Sequence, residues 1–268
     1  MLTFPQPRPR RSRPPRSLRQ EYGEFILERI EEFKQQISRP ELMRIADDAV
    51  RELDAGAEEQ LVLTEVLVLE HVDRLIIRRL NLPTYRRWRT RHLRLRRAQQ
   101  EPTHWGIDPR SPLVSLVSRL ELDGDALAVG TGAQGVCLYL AAHDWPVVFI
   151  GPQVTQVEAL ETRAAAEALG TRIQAYVVSL GTWFPEVAPA LVVLDPGTLA
   201  GLDAPDREQF FRELMERTPS GGVHHLLTSD TAHGVITFAP EIVKSHYAGW
   251  RFERIHDHAS RGFIATKP

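Results

Sequence analysis

Three glycines, Gly130, Gly132 and Gly135, follow a short apolar run, and a helical segment begins directly after them. A strand that ends on glycines lets the main chain turn tightly and lets a ligand approach it closely. The free N–H groups at the start of the next helix then face that ligand. The spacing Gly-x-Gly-x-x-Gly, in this strand-to-helix context, therefore predicts a nucleotide-like ligand. The alternative is a turn that only packs a strand against a helix.

A carboxylate forms the second candidate for chemistry. Asp195 follows the apolar run 190–194 and precedes Pro196 and Gly197. The carboxyl ends of parallel strands share one edge of a sheet, and ligands bind at that edge. A carboxylate there could accept a proton from a substrate. The sequence leaves a second interpretation open, in which Asp195 only caps a turn at the end of the strand.

Alternating strand and helix patterns must position these residues. Residues 111–268 predict five strands at 126–129, 146–150, 173–178, 190–194 and 223–228, with helices at 135–142, 154–169 and 206–217. Two further strands, 252–256 and 262–266, predict an antiparallel pair. This order indicates an α/β fold, a doubly wound and mostly parallel sheet with an antiparallel closing strand.

An α-helical N-terminal domain, residues 21–110, is predicted to precede the sheet. Residues 1–20 carry six arginines and five prolines, which is typical of a disordered basic tail. The predicted third helix, 61–82, is apolar nearly all round at its start and favours either the centre of a small bundle or a homodimer contact. His104 and Trp105 follow in a turn-rich linker, where they could fold over the ligand site or pack at the domain junction.

Seven arginines fall within the twelve residues 86–97. Arg86, Arg87 and Arg89 surround Trp88, and guanidinium forks bind phosphate while aromatic rings stack on bases. The segment therefore predicts a possible nucleic-acid interface. The alternative is a charged helix that pairs with acids of the preceding helices.

Composition limits the class of protein. The chain has 268 residues, 43% hydrophobic residues and a formal net charge of −2, which are ordinary values for a globular protein. A single cysteine, Cys137, excludes an internal disulfide and fits a reducing compartment. No apolar run approaches the length of a membrane span, so we expect a cytoplasmic protein. No Cys/His spacing matches a zinc site, so we expect no metal.

Residues 113–268 resemble a class I S-adenosylmethionine-dependent methyltransferase domain. The motifs that carry the resemblance are Ala-Val-Gly-Thr-Gly-Ala-Gln-Gly at 128–135, Val-Val-Leu-Asp-Pro-Gly at 192–197, Pro-Ser-Gly-Gly at 219–222, and the closing segment 248–254. The resemblance implies S-adenosylmethionine as cofactor and places Asp195 at the reaction centre. The cofactor-binding positions that it implies are Gly130, Thr131, Gly132, Gln134, Gly135, Gly151, Pro152, Gln153, Ser179 and Leu180.

Three acidic positions of that family are replaced here, by Ala128 at the start of the loop, by Gly151 after the second strand and by Ser179 after the third. A nicotinamide dinucleotide fits the glycines less well, because it also calls for an acid after the second strand. Two functions stay open. The chain is a methyltransferase with an unidentified acceptor, or it is a catalytically inactive protein of that fold that binds nucleic acid or a protein partner through its arginines.

Overall fold

The computed structural model describes residues 17–56, 65–120, 124–227, 244–256 and 261–268. These residues form two compact units, which divide between Arg94 and Leu95. The predicted tail up to residue 16 lies outside the described residues, as do residues 61–64 of the predicted third helix.

The first unit is helical. Its helices are α1 (Leu18–Gln36), α2 (Arg39–Gly56), α3 (Glu65–Arg79) and the first part of α4 (Tyr85–Gln100). α1 begins earlier than the predicted residue 21, because Ser17 and Gln20 form a reciprocal capping box. Ile30, Ile45, Ala49, Val72 and Ile76 form the core of its first three helices, and Trp88 of α4 is also buried.

The second unit contains a seven-stranded sheet in the order β3-β2-β1-β4-β5-β7-β6. The strands are β1 (Asp125–Val129), β2 (Val147–Gly151), β3 (Ile173–Val177), β4 (Pro189–Leu194), β5 (Val223–Leu227), β6 (Arg251–His256) and β7 (Arg261–Thr266). β1 to β5 run parallel, and β7 pairs antiparallel with both β5 and β6. The predicted fold class is confirmed, including the antiparallel closing strand.

Helices cover both faces of the sheet because the central strands are apolar on both sides. The helices of this unit are α5 (Pro112–Arg119), α6 (Gln134–Ala142), α7 (Val154–Ala166) and α8 (Ala204–Arg217). Ala128 and Phe149 point into one core with α6 and α7, whereas Val129 and Ile150 point into the other with α8. Among the described residues, no helix has the length and apolar character needed to cross a membrane.

Candidate functional site at the β1/β4 switch point

The chain reverses its direction of sheet growth between β1 and β4. β2 and β3 extend the sheet on one side of β1, and β5 extends it on the other side of β4. Val129 pairs with Leu194 at the ends of these strands, and the Asp195 N–H donates to the Val129 carbonyl at 2.9 Å. Gly130 and Asp195 therefore leave the carboxyl edge of the sheet side by side. Ligands of doubly wound sheets bind at such a switch point.

The turn after β1 depends on the absence of a side chain at Gly130. Its φ of 88° is strained for a residue with a Cβ atom, and a Cβ here would overlap the Thr198 hydroxyl. A short 3-10 helix, Thr131–Ala133, then leads into α6. Thr131 and Gly132 are exposed, so their main chain is accessible at the sheet edge.

Both oxygens of Asp195 accept main-chain hydrogen bonds. Oδ2 accepts the Gly132 N–H at 2.9 Å, and Oδ1 accepts the Gly197 N–H at 3.0 Å. The second bond caps the 3-10 helix Pro196–Leu199. Asp195 therefore makes the capping contact that the second interpretation of the sequence expected. Asp195 is only partly buried, and in the described part of the chain no cationic side chain pairs with it. The switch point therefore presents an uncompensated carboxylate.

Two side-chain contacts fix the start of α6. Gln134 Nε2 donates to the Gln156 carbonyl at 2.9 Å and so ties the first turn of α6 to the first turn of α7. A Cβ on Gly135 would lie 2.7 Å from the carbonyl oxygen of Trp105, so a glycine here permits the close approach of the 3-10 helix Pro102–Trp105. The third glycine of the motif thus serves packing.

The carboxyl ends of β2 and β3 present uncharged groups. Gly151 is buried, Pro152 and Gln153 are exposed, and Gln153 Oε1 accepts the Gln156 side-chain amide at 3.1 Å. Ser179 is exposed after β3, whereas Leu180 is buried in the core that faces α8.

Exposed apolar side chains flank these strand ends. Tyr176 is 39% exposed and Trp183 is 47% exposed, and their ring centroids lie 5.6 Å apart. This edge can offer hydrogen bonds and an aromatic surface, but none of the groups named at the two strand ends is a carboxylate.

His104 and Trp105 lie in packing positions. Trp105 is 4% exposed, and its indole N–H donates to the Gln99 carbonyl at 2.7 Å. His104 Nε2 lies 3.1 Å from Glu167 Oε1, which follows α7 at the amino edge of the sheet, opposite the glycine turn. The structure does not bring the side chains of these two residues to Gly130 and Asp195, because the indole is buried in the core and the imidazole pairs at the far edge.

The arginines of α4 are exposed at Arg86, Arg87 and Arg89, but Trp88 between them is buried at 8% exposure. Trp88 packs on Tyr22 and stacks on His92 with ring centroids 5.4 and 4.5 Å away. The expected alternation of arginines with an accessible aromatic surface is therefore absent at Trp88.

Two features were not anticipated from the sequence. Thr198 packs against Gly130 and helps to shape the turn, and its place three residues after Asp195 was the available signal. A cavity of about 210 Å³ lies between α8 and the segment that connects β3 to β4. The lining residues of that segment begin directly after Leu180. Its lining includes Gly181, Trp183, Phe184, Phe210, Glu213 and Arg217. The lining comes from two segments, 181–184 and 209–217, that are more than twenty positions apart along the chain, so no local pattern predicts the cavity.

No protein-family model and no curated protein matches the chain. Among solved structures it is similar to the glycopeptide N-methyltransferase MtfA, with 15% identity over 60% of this chain and 91% of that one and a TM-score of 0.45. It is similar to the N-methyltransferase NodS from Bradyrhizobium japonicum WM9, with 11% identity over 60% and 100% of the two chains and a TM-score of 0.43. An O-methyltransferase family protein from Burkholderia thailandensis shares 15% identity over 85% of this chain and 70% of its own, with a TM-score of 0.45.

Proposed function

We propose that the chain is an S-adenosylmethionine-dependent methyltransferase. The observation that carries the proposal is the pairing of a glycine turn with an uncompensated carboxylate, Asp195, at the β1/β4 switch point. The turn makes main chain accessible at Thr131 and Gly132, and the carboxylate supplies a negative charge beside it. This combination suits a small ligand that carries positive charge.

The residues at the switch point fit the charged half of S-adenosylmethionine. The methionine part of this cofactor carries a sulfonium, an ammonium and a carboxylate group, and a protein carboxylate without a cation beside it attracts the first two. When bound, the cofactor supplies an electrophilic methyl group. At the position proposed for the ribose of the cofactor, the chain offers the neutral side chains of Gln153 after β2 and Ser179 after β3. Because neutral groups make weaker hydrogen bonds than carboxylates, we expect weaker binding there.

Each residue has a distinct role in this proposal. Gly130, Thr131 and Gly132 shape the turn and its main-chain surface, and Gly135 permits the close approach of Trp105 to the start of α6. Asp195 orients the acceptor and takes its proton when the acceptor atom is not already a nucleophile.

The remaining positions frame the rest of the site. Gln134 holds the turn against α7, Gly151 and Pro152 form the β2 end beside Gln153, and Leu180 backs Ser179. Positioning supplies most of the expected rate gain, since displacement of a methyl group requires two reactants to be held in line.

The proposal is tested by isothermal titration with S-adenosylmethionine and S-adenosylhomocysteine. We expect the unaltered chain to bind both, and Asp195→Asn to weaken S-adenosylmethionine by about tenfold or more, which corresponds to about 1.4 kcal/mol. The affinity of Asp195→Asn for S-adenosylhomocysteine should fall less, because this ligand lacks the sulfonium charge. Asp203→Asn is the matched control, since Asp203 also caps a helix through its side chain and the change removes the same charge.

Absence of heat with both ligands at millimolar concentration would contradict the proposal. An equal loss for the two ligands in Asp195→Asn would contradict the role given to the carboxylate. The same loss in Asp203→Asn would show that the effect is one of net charge alone.

A further inference from the structure

Helix α4 (Tyr85–Gln100) concentrates positive charge. It carries seven arginines and no acidic residue. Arg86 and Arg87 lie in its first turn, where the helix dipole is already positive and favours acids. Arg87 and Arg91 are four residues apart, and Arg91 and Arg94 three, so like charges face each other along the helix. Both the helix dipole and the repulsion between neighbouring arginines therefore act against the stability of α4.

Most arginines of α4 are exposed and lie outside the strip of the helix that is buried. Trp88 is 8% exposed and packs on Tyr22 of α1, which defines the inner side of the helix within the first unit. At 3.6 residues per turn, Arg87, Arg91 and Arg94 form one strip that lies about 60–120° around the helix axis from Trp88, and all three are exposed. Along the axis they recur every 4.5–6 Å or so, at a rise of about 1.5 Å per residue. This strip and the neighbouring Arg86 make a basic surface, which we call the α4 arginine face and define by Arg86, Arg87, Arg91 and Arg94.

Nearby acids do not neutralise this face. Asp73 pairs with Lys34 at 3.0 Å, Glu70 pairs with Arg74 at 3.6 Å, and Glu41 pairs with Arg79 at 3.6 Å. Within the described ranges, none of the four guanidinium groups of the α4 arginine face has a hydrogen-bond or ion-pair partner. The alternative that the sequence left open, pairing with acids of the preceding helices, is therefore not seen for these residues.

We propose that the α4 arginine face binds the phosphate backbone of a nucleic acid. All seven cations of α4 are arginines, whose planar forks bind phosphate oxygens in pairs, and none is a lysine. A membrane surface is disfavoured, because an interfacial helix needs an accessible apolar side and the inner side of α4 is packed at Trp88. The proposal is independent of the proposed methyltransferase activity.

The burial of Trp88 specifies the mode of binding. Proteins that select single strands stack the bases on accessible aromatic rings. Trp88 is enclosed by Tyr22, Phe25 and His92, so it offers no such ring. We therefore expect binding to follow phosphate density, with no preference for sequence and none for single strands over duplex.

The test uses the full chain and a fluorescein-labelled DNA duplex of random sequence, followed by fluorescence anisotropy at increasing KCl. The variant is Arg87→Gln, Arg91→Gln and Arg94→Gln together, and its matched control is Arg44→Gln, Arg51→Gln and Arg74→Gln. Both triple variants remove three exposed positive charges from helices of the same unit. Glutamine is nearly as good a helix former as arginine, and circular dichroism verifies that both variants keep their helices.

We expect the α4 variant to bind at least tenfold more weakly and to have a salt slope that is shallower by about 2–3, at about 0.9 per lost phosphate contact. The control should change affinity less than threefold. Three outcomes would overturn the proposal: no binding by the unaltered chain, equal losses in both variants, or an unchanged slope in the α4 variant. Tighter binding to the isolated single strand than to the duplex would overturn the proposed binding to the phosphate backbone. If poly-glutamate displaced the labelled duplex as well as unlabelled duplex does at the same charge concentration, the assignment of nucleic acid as the partner would be overturned.

Discussion

At the scale of single residues, the switch point depends on the absence of a side chain at Gly130 and on the main-chain hydrogen bonds of the Asp195 carboxylate. A left-handed glycine allows the turn to pack on Thr198, and the carboxylate bonds to the main chain of two separate loops. The sequence predicted both residues as candidates. It could not predict that Asp195 bonds to the Gly132 N–H, because that contact joins residues 63 positions apart.

Gly130→Ala tests this arrangement. A positive φ with an extended ψ costs a residue with a Cβ about 1–3 kcal/mol, and the overlap with Thr198 adds to that cost. We expect a fall of more than about 2 kcal/mol in the free energy of unfolding, measured by urea denaturation, together with lost S-adenosylmethionine binding. Gly170→Ala is the control, because a Cβ there meets nothing within 4 Å. Equal stability of the two variants would contradict the account.

At the scale of elements, the sequence predicted the strands of the sheet to within one residue at most ends, because buried strands are continuous apolar runs. It also predicted a helix at α4. It did not predict which side of that helix is buried, since the partner of Trp88 lies on α1. Nor could it predict the link between α8, β5 and the segment before β6, which no local pattern encodes.

That link is a buried chain of hydrogen bonds. The Thr218 hydroxyl donates to the Leu214 carbonyl at 2.7 Å and accepts from His224 Nε2 at 2.8 Å, which leaves His224 Nδ1 to accept from the Tyr247 hydroxyl at 2.9 Å. Every member is satisfied while the imidazole is neutral. The chain of bonds therefore holds α8 and Tyr247 to β5 in one arrangement.

Tyr247→Phe removes the donor to His224 Nδ1 and leaves that atom buried without a partner. We expect a loss of about 1–3 kcal/mol in the free energy of unfolding, measured by urea denaturation. Tyr176→Phe, at a side chain that is 39% exposed, should change stability by less than about 0.5 kcal/mol. A Tyr247→Phe variant as stable as the parent would show that the hydroxyl is not a structural donor.

At the scale of the whole molecule, two buried histidines make folding depend on pH. Burial, with a smaller effect of the Lys267 ammonium, lowers the pKa of His224 from 6.5 to about 3, and burial lowers that of His225 to about 4. The unfolded chain takes up both protons as the pH falls below about 6.5, whereas the folded chain does not until the pH is far lower. Their contribution to stability is therefore present above pH 6.5 and is lost as the pH falls towards 4.

We expect each of the two histidines to add a slope of about 1.4 kcal/mol per pH unit between about pH 6 and pH 4. His225→Leu should remove about half of their combined slope. It should not destabilise the fold near neutral pH, because His225 Nδ1 is buried without a hydrogen-bond partner in the described structure. Urea denaturation at a series of pH values measures the slope. A slope that is unchanged in His225→Leu would show that His225 is accessible to protons when folded.

Photochemical cross-linking tests the proposal that the β1/β4 switch point holds S-adenosylmethionine. The chain is irradiated with S-adenosylmethionine that carries a tritiated methyl group, and the labelled peptides are identified. We predict label on peptides that contain 130–135 or 195–198, and we predict that excess S-adenosylhomocysteine suppresses it. Label confined to peptides elsewhere, label that S-adenosylhomocysteine does not suppress, or no label at all would contradict the account.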